Sequence, residues 1–226
     1  MLLPTRSTHV ALALVACLGA PLAAQTSRHF ALDSINGLRL QNVNVAAETF
    51  QGKAGVKVTE ADPDGEEIAI VEGVEFGNGT IEAEIAGAPA SGAPEGSRGF
   101  VGIAFRVQPD LRTYDCFYLR PTNGRAEDQE RRNHATQYIS HPDWPWFRLR
   151  KEAPSKYESY ADILPDAWTK VRIEVRGDHA RLFVNGQEQP ALIVNDVKTG
   201  ATAKGGVALW IGSGTIAHFR DLTVAP

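Results

Sequence analysis

The stretch 168–186, W-T-K-V-R-I-E-V-R-G-D-H-A-R-L-F-V-N-G, alternates apolar and polar residues and has no helical period. Val171, Ile173 and Val175 share one face while Lys170, Arg172, Glu174 and Arg176 share the other, which predicts a half-buried strand. Gly177-Asp178 supplies a turn, Ala180, Leu182 and Val184 resume the alternation, and Asn185-Gly186 supplies a second turn. The same grammar recurs from Phe30 onward. It predicts strands over 38–45, 55–59, 67–71, 80–85, 99–107, 114–119, 136–139, 146–149, 168–176, 180–184, 192–194, 207–211 and 216–224, punctuated by Gly, Asn, Asp or Pro. Short strands at this spacing predict an all-β chain of two packed antiparallel sheets. The polar stretch 125–135 lacks an apolar stripe, so it reads as a surface loop or a single helical turn.

Alternation also sorts faces. Val101, Ile103 and Phe105 fall on one side, leaving Gly102, Ala104 and Arg106 on the other. Phe117 and Leu119 read as core, which turns Tyr118 and Arg120 outward; Val207, Leu209 and Ile211 read as core, which turns Trp210 outward. Ile81, Ala83 and Ile85 do the same for Glu82 and Glu84.

Composition narrows the class. With 226 residues, a formal charge of −4 and a pI near 5.9, the chain has no general basic field, which argues against nucleic acid as a partner. The charge is uneven, however: residues 98–156 carry eleven Lys/Arg against seven Asp/Glu. The first 24 residues read as an export signal, with Arg6 ahead of an apolar run that is too short and too Pro-interrupted to span a membrane. Cleavage after Ala24 would give soluble secretion. Alternatively, Leu14-Val15-Ala16-Cys17 resembles a lipoprotein box in which Cys17 becomes a lipidated N-terminus, the one route to a membrane. Residues 25–226 then form a single domain, periplasmic, extracellular or envelope-anchored. With Cys116 the only other cysteine, no structural disulfide is expected, and Cys116 reads as a buried thiol within a strand.

The last two thirds of the chain carry a resemblance. The pattern of 168–186, followed by Gly205-Gly-Val-Ala-Leu-Trp-Ile-Gly212 and His218-Phe-Arg-Asp-Leu-Thr-Val224, resembles the closing strands of laminin-G-like and concanavalin A-like jelly-roll domains. Within that superfamily the chain is most similar to the 3-keto-disaccharide hydrolase family. Gly99-Phe-Val-Gly-Ile-Ala-Phe-Arg106 stands in place of that family's N-S-G-x-x-x-R strand, and Tyr114-Asp-Cys-Phe-Tyr-Leu-Arg120 in place of its Y-E-x-Q strand. The Asn-Ser pair is missing, and Asp115-Cys116-Phe117 does not reproduce the second motif. The resemblance implies a two-sheet antiparallel jelly-roll sandwich of the concanavalin A-like lectin/glucanase type, and carbohydrate as the partner.

Aromatic faces stack on the C–H surfaces of sugars, while Arg and Glu hydrogen-bond hydroxyls or uronates. The outward set Arg106, Tyr118, Arg120 and Trp210 is therefore a candidate binding surface. The segment 131–146, dense in His, Trp and Arg, supplies a candidate wall from Arg132, Asn133, His134, Gln137, Trp144, Trp146 and the following Arg148. For catalysis, Glu82 and Glu84 share a face at a spacing near that of glycosidase carboxyl pairs, although Gly87 occupies the place of the third acid of E-x-D-x-x-E. His134 and His141 are alternative acid–base candidates. Asp221 resembles the terminal-strand Asp that binds calcium in jelly-roll glucanases; no cofactor is required by any reading, and calcium would be structural. Three functions follow: an exported domain binding a glycan, acidic sugars included, on its concave face; a glycoside hydrolase of the 3-keto-disaccharide type or another polysaccharide-degrading enzyme; and a laminin-G-like envelope adhesion module. A cleft holding two carboxyls, or a His with a carboxylate, separates an enzyme from a binder.

Overall fold

The computed structural model describes residues 26–62 and 67–226; the export segment, Cys17 included, lies outside the described residues. In chain order the strands are β1 (Arg28–Phe30), β2 (Leu38–Gln41), β3 (Val43–Phe50), β4 (Lys53–Glu60), β5 (Ile68–Phe76), β6 (Gly79–Pro89), β7 (Val101–Val107) and β8 (Tyr114–Leu119). They continue as β9 (Thr136–His141), β10 (Glu158–Ser159), β11 (Thr169–Arg176), β12 (His179–Val184), β13 (Leu192–Val194), β14 (Gly205–Ile211) and β15 (Thr215–Ala225). Two short helices interrupt them, α1 (Gln129–Asn133) and α2 (Trp146–Glu152).

Among the described residues these strands form two antiparallel sheets. Sheet A is ordered β13-β12-β11-β6-β15-β4-β3, with β1 also paired to β15, and sheet B is ordered β10-β9-β8-β7-β14-β5-β2. The hairpin read from the alternation is β11–β12, with Ile173 opposite Leu182, and its second turn carries Asn185 and Gly186 at φ 52° and 72°. The predicted strand 38–45 is broken at Asn42, where φ of 52° turns the chain from sheet B to sheet A; Asn tolerates that left-handed conformation better than most residues.

The inner faces meet in one core. Sheet B contributes Ile103, Phe105, Phe117, Leu119 and Leu209; sheet A contributes Val56, Ile81, Ile85, Ile173 and Phe219, all at most 1% exposed. Each such side chain contributes ~1.5–3 kcal/mol by leaving water. Cys116 is buried as expected.

Two readings are corrected. Residues 146–149 are the start of α2 and not a strand: four residues, W-F-R-L, are too few to distinguish the two periods, and Pro145, extended at φ −67° and ψ 161°, caps a helix that buries only Leu149. Arg106 does not join the outward set. The β7–β14 register slips between Gly206 and Val207, and Arg106, at φ 55°, is turned into the interior with no exposure. Its guanidinium donates to the carbonyls of Gly77 (2.9 and 3.1 Å), Gly177 (2.7 Å) and Gly200 (2.7 Å), tying three connections together at one end of the sandwich.

A buried histidine links this fold to pH. His218 on β15 is 6% exposed, stacks on Phe50 at 3.9 Å, and has no hydrogen bond at Nε2, although Glu48 lies 3.5 Å away. Burial holds it below its ordinary 6.5 against the opposing pull of Glu48. Above pH 6.5 the folded and unfolded forms are both neutral at this site; as pH falls below 6.5 the unfolded chain takes up a proton that the folded one resists, and the loss levels off only once the depressed folded value is passed. The thermal midpoint is therefore expected to drop as pH is lowered from 6.5, and His218→Phe to flatten that part of the pH–stability curve.

Candidate functional site

The outer face of sheet B carries one row of cross-strand neighbours: Gln137 on β9, Tyr118 on β8, Gly102 on β7 and Trp210 on β14. The next row is small, with Cys116, Ala104 and Ala208, all without exposure, so large rings have room to lie against the sheet. Tyr118 and Trp210 stack at 4.7 Å with planes 30° apart. Trp210 Nε1 donates to Tyr114 Oη at 3.1 Å, and Tyr114 in turn stacks on His141 at 5.1 Å. Gly102 is what lets β8 come this close, since a Cβ there would lie 2.3 Å from the Phe117 carbonyl and 2.6 Å from Tyr118 Cβ.

Above this floor lies α2. Leu149, 1% exposed, anchors the helix, whereas Trp146 and Phe147 remain 43% and 60% exposed. A cavity of about 310 Å³ is lined by the floor rings Tyr118 and Trp210, by Trp146 and Phe147, and by polar groups of Glu67, His141 and Ser213. Its size is at the lower end of the ~300–1,000 Å³ usual for small-molecule sites. Larger hollows of about 350 to 660 Å³ elsewhere on the molecule are lined by at most one aromatic ring each.

At the rim, Glu67 is 7% exposed and hydrogen-bonds Glu60, which also accepts from Ser213 Oγ (2.8 Å) and Gly214 N–H (3.0 Å). Burial pushes Glu60 up, but the bonds from Gly214, Glu67 and Ser213 together draw it below its ordinary 4.5.

At the edge of the floor, where β10 pairs with β9, a second polar cluster converges on Glu158, which is the cross-strand neighbour of Gln137 and whose side chain is 2% exposed. Arg150 grips it with two bonds of 2.8 and 2.9 Å, His134 Nε2 lies 3.1 Å away and Arg120 4.0 Å away. Arg120 donates to Tyr118 Oη (2.8 Å), Gln137 Oε1 (3.0 Å) and the His134 carbonyl (3.1 Å). Burial pushes the Tyr118 hydroxyl up to about 12, which leaves it a hydrogen-bonding group and not a base at neutral pH. Burial holds His134 below its ordinary 6.5, with Glu158 pulling the other way.

The structure brings Tyr118, Gln137, Trp146 and Trp210 to this face, and His141 to the same cavity. Arg120 is 5% exposed and holds the floor through its bonds to the Tyr118 hydroxyl and Gln137. The other candidates lie elsewhere. Arg132 bonds Tyr160 at 3.2 Å, Asn133 accepts from Gln129 at 2.8 Å, and Arg148, bonded to Glu152 and to the Asp143 carbonyl, sits 3.9 Å over the Trp144 ring. Glu82 and Glu84 are on the outer face of sheet A, across the core from the aromatic floor, and Glu84 is neutralised by Lys53 (2.8 Å) and Arg220 (3.3 Å). As partners for that floor they are excluded. Asp221 pairs with Arg220 at 2.6 Å and His29 at 3.5 Å, and among the described residues no group of three or more His, Cys, Asp or Glu side chains could hold a metal ion. The sequence reading missed Glu67, Ser213 and Glu158 as site residues. Nothing in K-Y-E-S-Y marks Glu158, but the exposed Phe147 could have been drawn from W-P-W-F.

Two antiparallel sheets closed on one core define a concanavalin A-like jelly-roll sandwich. The chain belongs to the 3-keto-alpha-glucoside-1,2-lyase-like domain family, whose model matches residues 34–225. Among solved structures it is similar in fold to a carbohydrate-binding module from Bacillus subtilis (TM-score 0.57, 13% identity, 84% of this chain and 96% of that one). It is also similar to a protein of unknown function with a galectin-like fold from Bacillus subtilis (TM-score 0.59, 12% identity, 89% and 96%). A β-1,3-1,4-glucanase derived from a mouse hindgut metagenome aligns at TM-score 0.53 and 12% identity over 89% and 100%. No match was found among curated protein sequences.

The close approach at Gly102 is testable. Gly102→Ala is expected to force β7 and β8 apart and to lower stability by ~1–3 kcal/mol, the usual cost of overpacking. The near-ultraviolet circular dichroism of the Tyr118–Trp210 pair should weaken in parallel, and a variant with wild-type spectrum and melting would contradict the packing described.

Proposed function

We propose that this protein binds a short carbohydrate in the cavity between the Tyr118–Trp210 floor and α2. The observation that carries the reading is the stacked Tyr118–Trp210 pair lying beneath the exposed Trp146, with Glu67, His141 and Ser213 at the edges of the same space. The exposed Trp146 and Phe147 rings offer apolar surface to a pyranose above the nearly buried Tyr118 and Trp210, and carboxyl, imidazole and hydroxyl groups match sugar hydroxyls. An acidic sugar finds less support, because Arg120, Arg148 and Arg150 already face internal carboxylates, carbonyls or hydroxyls. Export from the cytoplasm, soluble or anchored through Cys17, belongs to the same proposal and rests on the sequence of residues 1–24.

A second reading is favoured by one specific observation: Glu67 and His141 line a single cavity, so a carboxyl and an imidazole face the same space. That pairing suits acid–base cleavage of a bound glycoside. In this reading family membership points to the same substrate class.

Trp146→Ala, on an exposed position that the fold does not depend on, is expected to weaken sugar binding by ~30-fold, the equivalent of about 2 kcal/mol. The measurement is isothermal calorimetry with whichever sugar the wild-type protein retains in a glycan screen that also records product release. Unchanged affinity in the folded variant would sink the cavity as the binding site. Products from the wild type that vanish in Glu67→Gln would select cleavage, and retention without products would select binding alone.

A further inference from the structure

Three groups meet at Glu158, namely Arg120, Arg150 and His134, and each also touches the groove or its supports. The Arg120 guanidinium lies 5.0 Å from the Tyr118 ring and 5.8 Å from the Trp146 ring, so one cation stands between floor and wall. The Arg150 guanidinium lies 4.8 Å from the Trp146 ring while both of its bonds run to Glu158. His134 reaches Glu158 through Nε2 and offers its carbonyl to Arg120. Trp146 itself sits in the first turn of a seven-residue helix with no side-chain cap, and α2 is too short to hold an exposed indole by its own stability. Its ring is oriented by the two cations over it and by Phe147, edge-on at 5.9 Å.

We infer that Glu158 is the positioning residue of the groove: by neutralising Arg120 and Arg150 together it fixes the spacing between the Tyr118 floor and the Trp146 wall. The inference rests on this groove being the sugar site, and it gives that site its geometry. Without the carboxylate, Arg120 and Arg150 would repel one another and the indole would lose the cation that Glu158 holds over it. The groups facing His134 are Glu158, Arg150, Arg120 and Glu130, which makes its titration a reporter of the cluster.

The test compares Glu158→Gln with Arg150→Gln, the latter at a position whose side chain is 35% exposed and so tolerant of change. Acrylamide quenching of Trp146, obtained by difference against Trp146→Phe in each background, should at least double in both variants. The His134 titration, followed by NMR and assigned with His134→Asn, should move in opposite directions: down in Glu158→Gln, which removes the charge that raises it, and up in Arg150→Gln, which removes one that lowers it. Binding of maltose, sucrose and cellobiose by intrinsic fluorescence completes the set, and any of them bound by the wild type should weaken at least tenfold in either variant. Unchanged quenching, or His134 moving the same way in both, would overturn the inference, and Arg150→Gln decides it if Glu158→Gln does not fold. Failure of all three sugars on the wild type would count against the carbohydrate reading alone, since quenching and titration need no sugar.

Discussion

A β-strand gives alternate residues to alternate faces, and the inner face of sheet B is closed against sheet A. Phe105, Phe117, Leu119 and Leu209 fill the interior, so whatever chemistry these strands carry must stand on the other side. There the same alternation places a glycine and a row of small residues under two large rings. The stacked Tyr118–Trp210 pair is thus a consequence of packing: Gly102, Ala104, Cys116 and Ala208 leave a shallow bed that bulkier residues would have filled. Where alternation fails, at the β7–β14 bulge, an arginine goes inside and serves the scaffold.

The cationic excess of residues 98–156 is absorbed largely within the molecule. Arg98 donates to the Glu95 and Ser97 carbonyls, Arg125 pairs with Asp162, Arg148 with Glu152, Arg150 with Glu158 and Lys156 with Asp196. Buried or half-buried guanidiniums need such partners, because an unpaired charge away from water is strongly unfavourable. The result is a groove whose walls are aromatic and whose charges are paired at its edge, acting on the rings and on each other.

Much of the architecture was legible in residues 168–224, where strict alternation and Asn-Gly turns leave few alternatives. Tyr118, Trp210 and Trp146 were also within reach, two from their strand parity and one from its unusual surroundings. Other parts were not, for physical reasons. Arg106 was misassigned because a bulge is a one-residue departure that alternation does not foretell. Glu82 and Glu84 were grouped with the aromatic strands because sheet membership depends on long-range pairing, which a local pattern does not contain. Glu158 stands in a two-residue strand, too short for any period, and Glu67 gains its meaning only from Glu60 and Ser213, brought to it from distant parts of the chain.

That two-residue strand has a second consequence. β10 is the last strand of sheet B at that edge, and residues 157–159 occupy the outward hydrogen-bonding groups of β9: Tyr138 N–H donates to the Tyr157 carbonyl at 2.9 Å and Thr136 Oγ1 to the Ser159 carbonyl at 3.1 Å. An uncovered edge of this kind is a template for pairing with another chain. The segment that carries the groove's anchor is therefore also the sheet's guard against self-association. Peeling it away would disorder the aromatic wall and bare an adhesive strand at once, which couples loss of recognition to aggregation.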